Sequence, residues 1–197
     1  MLQGRGSPLV LIAEAIDRTT TQHTHGVGSS SDWSLHDMLS VRTASIEEVP
    51  LLLEMIREFA TFERLREEVT ITEAVLARDG FGPQPRFRTL IAEWSRAAAG
   101  YAICFPIYST FQGPALFLED VYVRPQFRDK GIGKALIGEV AAMALREGCG
   151  ALRWEVLAWN QPAIDFYRRL GATFLDDWKA VRIEGKALRR LAEQSHV

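Results

Sequence analysis

The hydrophobic pattern of this chain predicts an α+β fold, mixed α/β in detail: a central, mostly antiparallel sheet flanked by helices, with one βαβ crossover. Three observations predict it. Apolar residues recur at three- and four-residue intervals from Val49 to Ala60 and again from Ile132 to Met143, the spacing of a helix face turned towards a core. Three strand-like runs, 87–94, 100–106 and 117–123, follow one another with short breaks, which reads as an antiparallel meander. The last of them passes without a gap into a glycine loop and a helix, and another strand follows that helix. Strand, helix and strand in this order make a parallel crossover.

Composition bounds the function. With 197 residues, 47% hydrophobic and 24% charged, the chain has the material for one domain with a substantial core. A net charge of −2 with no long single-sign run argues against nucleic acid held by bulk electrostatics. Cys104 and Cys149 form neither a disulfide framework nor a spaced metal set, and they fit a reducing, cytoplasmic compartment. Residues 1–38 are rich in serine, threonine and glycine without a sustained period, and they read as a disordered extension in front of a domain over 39–197. Within that extension Leu9 to Ile16 is apolar, but Glu14 and Asp17 cut it below the quality of a signal peptide or a membrane span. His23, His25 and His36 lie there too, spaced too loosely for a metal site.

The domain opens with a short strand over Ser40–Thr43. Ser45 and Glu48 then have the S-x-x-E spacing of a capping box, and a helix follows with Val49, Leu52, Leu53, Ile56, Phe59 and Ala60 on one face and Pro50 in its first turn. A mixed-charge segment holding Phe62, Glu63, Arg64 and Arg66 ends it. A second helix is expected over Thr72–Arg78, stopped by Asp79 and Gly80. After the meander and the crossover helix, Leu152, Trp154 and Val156 alternate with Arg153 and Glu155 as a strand. Asn160 caps a short helix with Pro162 in its first turn and Gly171 as its stop. A strand pair around Phe174–Ile183 and a polar tail are expected at the end.

The glycine loop is the chemical centre of the sequence. Arg128, Lys130, Gly131, Gly133 and Lys134 combine positive charge with two residues lacking Cβ at the start of a helix, where backbone N–H groups and the helix dipole favour an anion. A dinucleotide fingerprint would need glycine at 136, where Leu136 stands, and an NTPase loop would need a hydroxyl residue where Ala135 stands. What remains is R-x-x-G-x-G, from Arg128 to Gly133, followed one strand later by NQPAIDFYRRLGA from Asn160.

These two motifs, in this order and at this spacing, resemble the two halves of the acetyl-CoA site of the GNAT acetyltransferases. TFERLREEV, RDGFG, FLEDVYV and WNQPAIDFYRRLGA together resemble the diamine (spermidine/spermine and thialysine) branch of that superfamily, over about Val41 to Ala192. The resemblance implies a GNAT-type acyl-CoA N-acyltransferase fold, acetyl-CoA as co-substrate, no metal, a small cationic amine as acceptor, no nucleic-acid or membrane partner, and a homodimer. Acetyl transfer from a thioester to an amine needs a held pyrophosphate, a polarised carbonyl, a base and an acid.

By the resemblance Arg128 and the N–H groups of Lys130, Gly131, Ile132, Gly133 and Lys134 hold the pyrophosphate, with Asp129 in the same cofactor-binding loop. The backbone of Val121, Tyr122 and Val123 serves the pantetheine arm, and Asn160 contacts the cofactor. Tyr167 is the expected general acid, since a phenol pKa near ~10 lies close to that of a thiol. Glu119 is the expected base. Glu63, Phe62, Asp120, Arg153, Trp154 and Glu155 are expected around the amine, Phe62 along its aliphatic stem. Asp129 departs from the family pattern, in which glycine is frequent at that place, and it is expected to point to solvent or weaken CoA binding. Arg64 and Arg66 add positive charge near the amine site, which leaves a lysine-like amino acid or small diamine as compatible as a polyamine. A non-catalytic acyl-CoA-binding module, and an enzyme for a protein or antibiotic amine, are the alternatives.

Overall fold

The computed structural model describes residues 38–195. The expected extension, apart from Met38, lies outside the described residues. Five strands form one sheet in the order β1-β2-β3-β4-β5, with β1 at Leu39–Thr43, β2 at Arg88–Trp94, β3 at Ala97–Ser109, β4 at Gly113–Val123 and β5 at Ala151–Arg153. The first four pair antiparallel and β5 runs parallel to β4, so the meander and the crossover both form.

A helix covers each face of the sheet. The capping box forms, with the Ser45 N–H donating to Glu48 Oε2 at 2.8 Å, and a 3-10 turn leads into α1 at Val49–Phe62. Helix α1 lays Leu52, Met55 and Phe59 against Ile91, Tyr101 and Tyr122 on one face. Helix α3, Ile132–Arg146, lays Ile132, Leu136 and Val140 against Leu116, Leu118, Val121 and Val123 on the other. Arg124, at the end of β4, reaches back across the first face to Glu54 at 2.6 Å and Glu58 at 2.8 Å, tying α1 to the strand that feeds the glycine loop.

Helix α2 differs from expectation. It spans Glu73–Phe81, with Thr72 as its cap accepting from the Val75 N–H at 3.3 Å, and Asp79 and Gly80 lie inside it rather than ending it. The reason is packing: a Cβ on Gly80 would stand 2.6 Å from the Phe87 ring, so glycine is there for the close approach of that ring.

Strand β5 is also shorter than its sequence pattern. Leu152, Trp154 and Val156 all turn to the same core, as their alternation requires, yet only Ala151, Leu152 and Arg153 pair with β4, opposite Ala115, Leu116 and Phe117. Beyond Phe117 the two strands part. The expected strand pair around 174–183 does not form. That stretch is irregular, Leu175, Trp178 and Val181 are exposed, and the tail continues as a helix, α5, at Gly185–Glu193. A stretch with apolar residues makes a strand only where it finds a strand to pair with, and none of the described strands pairs with 174–183.

Candidate active site

The sheet irregularity that builds the site is in β4. Ile103 pairs with Asp120 and Cys104 with Leu118, which leaves Glu119 as the extra residue of a β-bulge. Its consequence is a change of face. Before the bulge Leu116 and Leu118 point to the α3 side; after it Val121 and Val123 do, while Tyr122 joins the α1 side. In a regular strand Glu119 and Asp120 would point to opposite faces. Here both line one cavity of about 440 Å³ on the α1 side.

The cavity is closed by Ile56, Phe59 and Ala60 of α1, by residues 65–71 and by Ile103 and Phe105 of β3. Its charged lining residues are Glu63, Glu68, Glu119 and Asp120, all acidic. Glu63 is the C-cap of α1 and only 7% exposed. Burial, and the Asp120 charge beside it, push the Glu63 carboxyl up to about 9. Burial and Glu119 push Asp120 up to about 7, against the opposing pull of a hydrogen bond from Tyr101 Oη to Asp120 Oδ2 at 3.1 Å. Burial and then Glu155 raise Glu119, whose Oε2 is buried with no hydrogen-bond partner. An apolar chamber with crowded, under-neutralised carboxyl groups is complementary to an alkyl ammonium ion.

Tyr167 lies on α4, Gln161–Arg169, which is capped by Asn160 Oδ1 accepting from the Ala163 N–H at 3.2 Å. Its ring is held edge-on by Trp154 at 5.3 Å and Phe166 at 5.2 Å between centroids. Its hydroxyl is buried without a partner, and burial raises the phenol far above its ordinary value, so it carries its proton throughout the neutral range.

The cofactor side fits a nucleotide with a pyrophosphate and an extended amide arm. Arg128 has a buried Nη2 with no partner, its Nε donates to the Val123 carbonyl at 3.3 Å, and its guanidinium lies 5.1 Å over the Phe62 ring. Gly131 caps α3 at φ +76° and no side chain caps the helix, which leaves the N–H groups of its first turn for an anion. Lys130 lies over the Trp94 ring at 5.0 Å. Past Phe117 the β5-facing edge of β4 has no ladder partner among the described residues, and the Val121 and Val123 side chains are in the core, so what this segment offers a ligand is main chain. Asp129 is exposed at φ +60°, a left-handed position that favours glycine and that aspartate tolerates better than most residues.

Several expected substrate residues lie elsewhere. Phe62 packs beneath Arg128, Trp154 packs on Tyr167, and Arg153 donates to Gln112 Oε1 at 2.7 Å beside a second cavity at the β3–β4 hairpin. Glu155 does not line the amine cavity and acts on it through its charge on Glu119. Asn160 is 1% exposed and engaged as a helix cap. Tyr101, Glu68 and Phe105 were not legible in the sequence. The one hint for Tyr101 is a phenol in the apolar run 100–106, which must find a partner when buried.

The model of the acetyltransferase (GNAT) family matches residues 50–172, and the chain belongs to that family and is an N-acetyltransferase. Among its relatives is thialysine N-epsilon-acetyltransferase from Sus scrofa, 42% identical over 163 residues, covering 77% of this chain and 96% of that one. Spermidine/spermine N(1)-acetyltransferase-like protein 1 from Homo sapiens is 31% identical over 166 residues, covering 79% of this chain and 24% of its own length. In fold the chain is similar to an integron cassette protein from the mobile metagenome of V. cholerae, with a TM-score of 0.67, 21% identity and coverage of 80% of this chain and 99% of that one.

Proposed function

We propose that this enzyme transfers the acetyl group of acetyl-CoA to a primary amine of a small cationic substrate: a diamine, a polyamine or a lysine-like amino acid. The observation that carries the reading is the cavity, apolar in its walls and acidic in every charged residue that lines it. The names of the relatives, which act on thialysine or resemble a spermidine/spermine enzyme, support the same substrate class.

The residues divide the work. Arg128 and the first N–H groups of α3 hold the pyrophosphate, and the open edge of β4 holds the amide arm. Bound there, the co-substrate supplies an acetyl group on a thioester. Glu63 and Asp120 receive the ammonium, and Glu119, with a free buried oxygen, takes its proton. As the new C–N bond forms and the C–S bond breaks, Tyr167 gives its hydroxyl proton to the leaving sulfur, and the second proton that the nitrogen sheds on becoming an amide returns to the Tyr167 oxygen, so that the free thiol, the amide and one proton on Glu119 are the products. Thiol release over a panel of diamines, polyamines, lysine, thialysine, a peptide and an aminoglycoside, with products identified by mass spectrometry, tests this. Acetylation of small diamines or lysine analogues is expected; turnover confined to the peptide or the aminoglycoside, or absent on all, overturns it.

A homodimer and a cytoplasmic location belong to the same proposal. Leu175, Trp178, Val181, Ile183, Leu188 and Leu191, all exposed within one stretch of the chain, support self-association. Free Cys104 and Cys149 suit a reducing compartment. No described helix is long and apolar enough to cross a membrane. Light scattering on the eluting protein and imaging of a tagged chain read the two points.

A further inference from the structure

The three carboxyl groups facing the amine cavity are not equivalent. Among the described residues, Glu63 accepts no side-chain hydrogen bond and the buried Oε2 of Glu119 has no partner, whereas Asp120 accepts from Tyr101 at 3.1 Å. Tyr101 is wholly buried, and its ring is fixed on β3 against Tyr122, 6.1 Å away between centroids. Tyr122 is held in turn by donating to Glu58 Oε2 at 3.2 Å on α1. The donor therefore arrives from a rigid aromatic pair. It singles out one carboxyl of the cluster, the one the bulge rotates into the cavity beside Glu119.

We propose that Tyr101 is a positioning residue for acetyl transfer: by donating to Oδ2 it fixes the Asp120 carboxyl in the cavity and leaves Oδ1 to receive the substrate ammonium, while Glu119 stays free to take the proton. This rests on the amine-acetyltransferase reading above. A hydrogen bond to a carboxylate stabilises its charged form, and Tyr101 is the one group that favours that form at Asp120, where burial and Glu119 oppose it. The other titratable groups facing Asp120 are Glu63 from the end of α1, Glu68 across the cavity and Glu119 on β4, all acidic, with Tyr122 behind Tyr101.

The test is steady-state kinetics of the full chain with the best small amine from the panel, as a function of pH, for wild type, Tyr101→Phe, Asp120→Asn and the double variant. Tyr101→Phe is expected to raise the amine KM about tenfold near neutral pH with kcat within about twofold and the acetyl-CoA KM unchanged. The acid limb of kcat/KM for the amine should move to higher pH, and the KM difference should fade on the alkaline side, where Asp120 ionises in both proteins. Asp120→Asn should raise the amine KM at least as much, and adding Tyr101→Phe to it should change little further. Wild-type amine KM and pH profile in Tyr101→Phe overturn the proposal, as do equal losses towards both substrates or additive effects in the double variant. If Tyr101→Phe does not fold, Asp120→Asn decides, and an unchanged amine KM in it overturns the proposal. Absence of turnover by the wild type on every amine removes the functional reading and this inference together; normal wild-type turnover with an unmoved Tyr101→Phe removes the inference alone.

Discussion

Tyr167 shows how much a single residue depends on its surroundings. A phenol in water is an acid near pKa ~10, but here the hydroxyl is buried and unpartnered, so it holds its proton beyond that range, as the general acid proposed above requires. Tyr167→Phe should lower kcat by about 10²-fold or more with CoA affinity unchanged, read by thiol release and by calorimetry of CoA binding. Asp129 makes a contrasting case. It places a negative charge in the loop proposed to hold the pyrophosphate, in a left-handed conformation, with no structural contact that explains the choice. Asp129→Gly removes both the charge and the backbone cost of about 1–2 kcal/mol, and CoA should bind several-fold tighter by calorimetry. Gly100 is the opposite: a Cβ there would stand 2.2 Å from the Tyr122 carbonyl oxygen, and Gly100→Ala should destabilise the fold by about 2 kcal/mol or more in urea denaturation.

At the scale of elements, β4 and α4 decide the site. The bulge at Glu119 turns two consecutive acidic residues to one side, and the departure of β5 after Arg153 opens the main-chain edge beside them. Helix α4 carries Tyr167 onto Trp154, just past the end of β5, and depends on its cap. Asn160→Ala should cost about 1 kcal/mol of stability and lower kcat more than it raises the acetyl-CoA KM, since the helix carrying the acid loosens. The helices were legible because their signals are local: a capping box at Ser45 and Glu48, a glycine-led start at Gly131, an asparagine cap at Asn160. The length of β5 and the fate of 174–183 were not, because strand pairing is settled by a partner elsewhere in the chain and alternation is the same with or without one.

At the scale of the whole molecule, the acidic cavity is a liability for folding. In the unfolded chain the carboxyls of Glu63, Glu119 and Asp120 lose their protons near pH 4; in the fold Asp120 keeps its proton to about 7 and Glu63 to about 9. The folded state therefore binds more protons than the unfolded one across that window, so the cavity's contribution to stability is full below about pH 4 and is lost as pH rises through 7 to 9. Thermal unfolding of the empty enzyme should show Tm falling from about pH 6 to about pH 9, with the upper part of the fall flattened in Glu63→Gln and reversed by a saturating diamine. A Tm independent of pH over this range would contradict the buried-carboxyl picture. By itself the sequence determined the α+β class and the order of the elements from the first strand to the Asn160-capped helix, with a glycine loop at the head of α3, because periodicity, caps and glycine spacing are written within a few residues. Only the tertiary structure decided which carboxyls share a cavity, that Phe62, Arg153 and Trp154 lie outside it, and that Tyr101 holds Asp120. Those facts rest on one unpaired residue in a ladder between strands separated in sequence, and nothing local to Glu119 distinguishes a bulge from a regular strand.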